Sequence, residues 1–363
     1  MLPTIKRYFV CANSSAGFVS FFQENLANLN KVFILKGGPG TGKSTLMKKI
    51  GTHFYNLGFD VDYIHCSSDV TSLDGVIIPK LSVAIVDGTA PHVIEPTAAG
   101  AIEQYVNLGI AWNLDLLTPY KETILKNKKI IAESYALLYS EYADALNIHD
   151  EWEKIYIHEM DFKKAENFKN HICETLVNYP KLEREGIIKH RFFGASTPSG
   201  SVDFIEQLTS SLEKRYFIKG RPGSGKSTLM KSIAKKAEEL GYDVEIYHCS
   251  FDPKSLDMVL IPELSICFFD STAPHEYFPT KDSDEIIDTY KELITPGTDE
   301  ANEVQLQDLA SNYKETVSKG VMALQSAKNA HAELEEIYIS ATNFEIIDGF
   351  YEQIKYEIEK LTL

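Results

Sequence analysis

Arginine is scarce in this sequence: only Arg7, Arg184, Arg191, Arg215 and Arg221 occur among 363 residues. Positive charge therefore rests on lysine, and bidentate guanidinium clamps on phosphate must be few. The formal net charge of −16 argues against broad, nonspecific binding to nucleic acid or anionic lipid, which needs positive potential to release counterions. A local basic strip remains compatible with it. No run of about 18 uncharged apolar residues occurs, and residues 1–10 lack a basic region followed by an apolar stretch. Neither membrane spanning nor export is expected, and a cytoplasmic setting is. The cysteines, Cys11, Cys66, Cys173, Cys249 and Cys267, are odd in number and form no CxxC pair. They read as reduced thiols, mostly small buried apolar residues, rather than a disulfide framework.

What is present is a duplication. Residues 6–96 align without a gap on residues 189–279 at an offset of 183, and 33 of the 60 positions from Gly37 to Pro96 are identical. The identities cluster as GxPGxGKSTLMK, LGxDV, HCSxD, SLDxVxIPxLS and DxTAPH. Beyond them the copies drift: Ile155, Tyr156 and Ile157 match Ile337, Tyr338 and Ile339 at 182 instead. Two homologous domains, residues 1–177 and 189–363, joined by a polar linker over residues 178–188 with Pro180 and Gly186, follow from this.

The coarse pattern is α/β. Residues 32–35, Val-Phe-Ile-Leu, form a short apolar run ending at glycines. Leu46, Met47, Ile50, Phe54 and Leu57 then recur at helical spacing until Gly58. Residues 61–66 and 83–86 read as further buried strands, with another over residues 8–12, and the second copy repeats the scheme. A doubly wound, mainly parallel sheet is expected in each half. A helical hairpin should follow each sheet. Its long arm carries Ile131, Tyr135, Leu138, Tyr142, Ala145, His149, Trp152 and Tyr156, or Tyr313, Val317, Val321, Leu324, His331, Leu334 and Tyr338, and Asp161 and Asn343 cap the return helices. The first return helix bears Phe162, Ala165, Phe168, Ile172 and Leu176. The stripes read as packing against core or partner, with a mobile arm as the sharper alternative.

Gly37-Gly38-Pro39-Gly40-Thr41-Gly42-Lys43-Ser44 and Gly220-Arg221-Pro222-Gly223-Ser224-Gly225-Lys226-Ser227 both satisfy GxxxxGK[ST]. Glycines let consecutive amides converge on a phosphate, and the following helix points its positive end at the same charge. Thr45 and Thr228 belong to that first turn. Lys43 and Lys226 would neutralise β- and γ-phosphates, while Ser44 and Ser227 would reach the bridging Mg²⁺. Each pattern lies between an apolar strand and an amphipathic helix, which makes it specific. Asp87 and Asp270, ending apolar strands, are the expected second Mg²⁺ residues, the alternative being a turn cap. Gly88 and Ser271 follow them, so no glutamate stands next to either aspartate.

This loop with its Asp-ended strand resembles the P-loop NTPase superfamily. The tandem arrangement with HCSxD, SLDxVxIP and DxTAPH is similar to a bacterial family of tandem-P-loop proteins regarded as predicted ATPases or nucleotide-kinase-like. The resemblance implies ATP and Mg²⁺ as ligands and P-loop NTPase-like domains. No NKxD or LSGGQ-like segment is present, and neither an arginine-rich kinase lid nor the acidic pair and arginine sensors of AAA-type motors is evident.

Other polar matches lie outside the loops: His65/His248, Asp69/Asp252, Ser72/Ser255, Asp74/Asp257, Thr89/Thr272 and His92/His275. Asp69 and Asp252 follow a strand end, the edge where α/β sheets bind ligands, and are the expected water-orienting base. Their plainer reading is an Asx-turn, with the histidines satisfying backbone groups. His65-Cys66 and His248-Cys249 argue weakly for metal, because adjacent strand residues face opposite ways. The expected function is an ATPase whose nucleotide state changes the arrangement of its paired halves. A phosphotransferase using a small-molecule acceptor and a nonhydrolytic ATP-sensing scaffold are the alternatives.

Overall fold

The structure is a computed structural model that describes residues 2–175 and 178–362. Leu176 of the expected return-helix stripe and Val177, at the end of the first sequence copy, lie outside the described residues.

The first copy forms β1 (Ile5–Tyr8), β2 (Cys11–Ser14), β3 (Gly17–Ser20), β4 (Lys31–Lys36), β5 (Val61–His65), β6 (Leu73–Ile78), β7 (Val83–Asp87) and β8 (Glu103–Asn107). The second forms β9 (Ile188–Arg191), β10 (Gly194–Thr197), β11 (Gly200–Asp203), β12 (Lys214–Lys219), β13 (Val244–His248), β14 (Leu256–Ile261), β15 (Ile266–Asp270) and β16 (Glu285–Asp288). Two six-stranded sheets result, ordered β1-β5-β6-β7-β4-β8 and β9-β13-β14-β15-β12-β16, with a small hairpin beside each. Register repeats with the duplication: Lys31 pairs with Val83 in one sheet and Lys214 with Ile266 in the other.

The sheets are mixed and mostly parallel. β6 runs antiparallel to both β5 and β7, as β14 does to its neighbours. Only residues 66–72 separate β5 from β6, and a parallel return needs a crossover of about a dozen residues or more, so antiparallel is the only sense open to β6. The expected strand over residues 8–12 is split: Tyr8 ends the sheet edge and Cys11 begins the hairpin, with Phe9 between them.

The doubly wound expectation is modified as well. In each half one long crossover helix, α1 (Lys43–Asn56) or α4 (Lys226–Glu239), covers one sheet face. The opposite faces, through Ile34, Ile64, Ala84 and Val86 and their counterparts Phe217, Tyr247, Cys267 and Phe269, belong to a single apolar cluster spanning both copies. Phe9 and Phe192 exchange backbone hydrogen bonds of 2.9 and 2.8 Å at the junction. Arg191, 2% exposed, lies 3.9 Å over the Tyr8 ring and pairs with Glu245 at 2.9 Å.

The hairpins cross over. α2 (Lys121–His158) and α5 (Glu303–Ser340) are 38 residues each, about 57 Å at 1.5 Å per residue. They pair antiparallel, with Ser134 on Ser326, Tyr142 on Gly320 and His149 near Tyr313. α2 contains no proline or glycine, so nothing lets it bend back towards its own sheet. Its return helix α3 (Phe162–Glu174), capped by Asp161 on the Lys164 amide at 2.9 Å, instead sets Phe168, Ile172 and Cys173 against the α4 core. Reciprocally α6 (Phe344–Glu359), capped by Asn343, buries Ile347, Ile354 and Ile358 on α1. Backbone bonds fix both crossings: Asn113 to Ala341 and Asn343 to Ala111, Asp161 to Leu293 and Thr295 to Glu159. Each compact body therefore combines the sheet of one sequence copy with the return helix of the other. Ile354→Ala should cost about 2–5 kcal/mol as a buried large-to-small change. Hydrogen exchange should then quicken in α1, residues 43–56, and not in α4; acceleration confined to residues 226–239 would refute the crossing.

Candidate functional site

β4 delivers its chain to residues 37–42 and α1 carries it away. Gly40 and Gly42 sit at φ 68° and 82°, the left-handed region where a side chain is strained. Gly42 is also the helix N-cap and has no side-chain cap. Among the described residues the amides of Gly40, Gly42, Lys43 and Ser44 donate to no protein atom. A turn of unpaired amides at a helix N-terminus is an anion cradle. Thr41 Oγ1 braces it by donating to the Gly38 carbonyl at 2.7 Å.

The lysine and aspartate meet because β4 and β7 are neighbours, with Leu35 opposite Asp87. Lys43 Nζ lies 3.6 Å from Asp87 Oδ2 and donates to the Gly37 and Gly38 carbonyls at 2.9 Å each. The second half reproduces this, with Lys226 Nζ 3.5 Å from Asp270 Oδ2 and 3.1 Å from the Arg221 carbonyl. Gly223 and Gly225 have φ 71° and 89°, and Ser224 Oγ donates to the Arg221 carbonyl at 2.7 Å. Ser44 and Ser227 Oγ accept from the Leu73 and Leu256 amides, 3.0 Å in both cases. Thr45 and Thr228 are exposed in the first turn. Asp87 and Asp270 also take the turn-cap contact, accepting from the amides of Thr89 at 2.8 Å and Thr272 at 3.0 Å. Their second oxygens face the lysines. The set of ammonium, carboxylate, hydroxyl and free amides suits a phosphate chain with a hard divalent cation.

Asp69 and Asp252 lie elsewhere in the loop. Asp69 accepts from Thr71 Oγ1 at 2.9 Å and Ser72 Oγ at 3.1 Å, and Lys328 of α5 is 3.6 Å away. Burial raises its pKa, but those hydrogen bonds and Lys328 more than offset it, so the net shift is downward. Asp252 accepts from Ser255 Oγ at 2.7 Å and the Lys254 amide at 3.2 Å. Both carboxylates are engaged by their own turns.

Two further carboxylates are Asp74, buried, and Asp257, partly buried, second residues of β6 and β14. Burial raises the Asp74 pKa, assisted by Asp87 and opposed by His92 and Lys43. Asp257 is pushed up to about 7, by burial first and Asp270 second, against His275 and Lys226. These aspartates sense the lysine and strand-end aspartate of their own half. Nothing in the sequence separated them from Asp69 and Asp252 except their place inside the apolar SLDxVxIP run.

His65 and His248 serve the backbone: their Nδ1 atoms meet the Val70 carbonyl at 2.8 Å and the Pro253 carbonyl at 2.6 Å. Burial holds both down to about 4 from the ordinary 6.5. A depressed histidine pKa gives stability present above pH 6.5 and lost as pH falls towards 4, because the unfolded chain takes up the proton first. Denaturation midpoints should fall across that window, and His65→Gln with His248→Gln should flatten the fall; an unchanged slope would count against it.

Residues unforeseen in the sequence gather over the loops, Tyr338, Glu335, Glu153 and Tyr156 from the opposite copy and Trp112 and Asp299 from the loop's own. A Cβ on Gly38 would meet Trp112 and Tyr338 at 3.3 Å, and one on Gly40 would abut the Glu335 backbone. Over the second loop, Glu153 Oε1 accepts from the Gly223 amide at 3.2 Å. Arg221 pairs with Asp299 at 2.7 Å, whose other oxygen accepts from Tyr156 OH at 2.9 Å. The signal was the Ile-Tyr-Ile match around Tyr156 and Tyr338, retained in a region where the copies otherwise drift.

Compared with protein-family models, curated proteins and solved structures, the chain matches none. No described helix is long and apolar enough to cross a membrane. Function therefore has to be read from the site.

Proposed function

We propose that this chain binds MgATP in two P-loop-type sites and hydrolyses it, each site being completed by the helical hairpin of the opposite copy. The observation that carries the proposal is the repeated constellation: loop amides without a protein acceptor among the described residues (in the second loop those of Gly225, Lys226 and Ser227, the Gly223 and Ser224 amides being bonded), a lysine 3.6 or 3.5 Å from a strand-end aspartate, and a hydroxyl one residue after the lysine. In this reading Lys43 and Lys226 neutralise the β- and γ-phosphates, and the loop amides orient them. Ser44 with Asp87, and Ser227 with Asp270, hold Mg²⁺. A small groove lined by Lys49, Phe344, Ile347, Asp348 and Tyr351 adjoins Gly42 and Thr45 of the first loop.

The long helices give hydrolysis something to move. α2 starts near the first loop and ends at Glu153 on the second; α5 runs the opposite way to Glu335. A phosphate entering the second loop competes with the Glu153 carboxylate for the Gly223 amide, and the displacement acts on a rigid rod anchored at the other site. Isothermal calorimetry with a nonhydrolysable ATP analogue and Mg²⁺ should give two sites per chain, and ATP should release inorganic phosphate without an acceptor. ADP formation that depends on a small-molecule acceptor would make the chain a phosphotransferase. Binding without turnover would make it a nucleotide-sensing scaffold, and no binding at all would reject the proposal.

A further inference from the structure

Cys11, Asp74 and His92 form a compact group behind the first loop that phosphate binding does not use. Each offers a ligand atom, and the three atoms lie within 4.8 Å of one another. Cys11 is fully buried, Asp74 3% exposed and His92 8% exposed. His92 Nε2 and Asp74 Oδ2 face each other at 3.4 Å with no hydrogen bond between them, and Oδ2 has no other partner. An unpaired carboxylate oxygen at this depth is costly. Two ligands bound at about 2.0–2.2 Å to a tetrahedral zinc ion stand about 3.4 Å apart. The spacing therefore accommodates two ligands of one cation as well as it does an ion pair with a protonated histidine.

Charge and surroundings favour the cation. A divalent ion with one thiolate, one carboxylate and one neutral imidazole is formally neutral, the least costly state for full burial. The rings of Phe18 and Phe22 wall His92 edge-on at 5.3 and 5.9 Å. A thiolate, imidazole and carboxylate together suit a borderline-soft ion better than Mg²⁺ or Ca²⁺.

The duplication provides an internal control. At the positions matching Cys11 and Ser20 the second copy has Gly194 and Asp203. There His275 Nδ1 bonds Asp203 Oδ2 at 2.8 Å, and no thiol is available from β10. We propose that Cys11, Asp74 and His92 bind one Zn²⁺-like transition-metal cation, in the first half only. The site does not require nucleotide, and it has no counterpart at Asp257.

The test is Co²⁺ titration of the reduced full-length chain, followed by the thiolate-to-cobalt charge-transfer absorption, with Zn²⁺ competition. One equivalent per chain is expected. Cys11→Ala should abolish the charge-transfer band, and both Cys11→Ala and His92→Gln should weaken binding about 100-fold or more. Cys66→Ala and His275→Gln should retain band and affinity. X-ray absorption of the wild-type Zn²⁺ form, which needs no variant to fold, should show one sulfur among nitrogen and oxygen neighbours. Absence of stoichiometric binding, a sulfur-free shell, or a band that survives Cys11→Ala or disappears in Cys66→Ala would overturn the assignment.

Discussion

Lys43→Ala is expected to remove one MgATP site from the chain and Lys226→Ala the other, with the double variant binding none. In each loop the lysine ammonium stands beside the cradle, paired with the strand-end aspartate, whereas Arg221 of the second loop is committed to Asp299. Truncating a charged partner of a phosphate costs about 2–5 kcal/mol, roughly 30-fold to more than 1,000-fold in affinity. The fold should survive. Asp87 keeps its Thr89 bonds, Asp270 keeps those from Thr272, and the lysine side chains pack outside the apolar clusters. Calorimetric stoichiometry should drop from two to one in each single variant, with melting profiles close to wild type. Wild-type affinity in the double variant would remove the loops from nucleotide binding altogether. The singles also measure coupling: if the helices link the sites, Lys226→Ala will change affinity at the first loop, although that loop lies about 40 Å along the coil from the second, some 27 residues of helix.

The legible part of the molecule was its local chemistry. Strands β4, β5 and β7, helix α1 and the caps Asp161 and Asn343 were readable because apolar period, glycine stops and capping residues are properties of neighbouring residues. β6 was hidden because SLDxVxIP was read as a motif rather than as Leu73, Val76, Ile77 and Ile78 lining a central strand. The crossing of the hairpins was not legible either. The stripe from Ile131 to Tyr156 states that one helix face is buried, but periodicity carries no information about which sheet buries it. Only the unbroken length, free of glycine and proline, hinted that α2 must end far from its origin. At the site, the lysine–aspartate pairing followed from the two motifs, whereas Glu153, Tyr338 and Trp112 reach the loops from distant sequence.

The choice of catalytic carboxylate turns on burial, which the sequence could not supply. Asp69 and Asp252 were preferred because they follow strand ends, and a base there must abandon the hydrogen bonds of its own turn before it can orient water. Asp257 needs no such release. It is partly buried, pushed up to about 7 by that burial and by Asp270, and electrostatically linked to Lys226, a combination that suits proton transfer at neutral pH. With the first loop silenced by Lys43→Ala, phosphate release reports the second half alone. In that background Asp257→Asn, which keeps the shape and removes the base, should retain MgATP binding and lose about 100-fold or more of turnover, the usual contribution of a positioned base. Asp252→Asn should lose far less, because its amide can still accept the bonds that shape the turn. The opposite ranking would return the catalytic role to the turn aspartates and leave Asp257 a structural acid. Loss of MgATP binding in Asp257→Asn, with folding intact, would instead place its carboxylate among the groups that hold the cation.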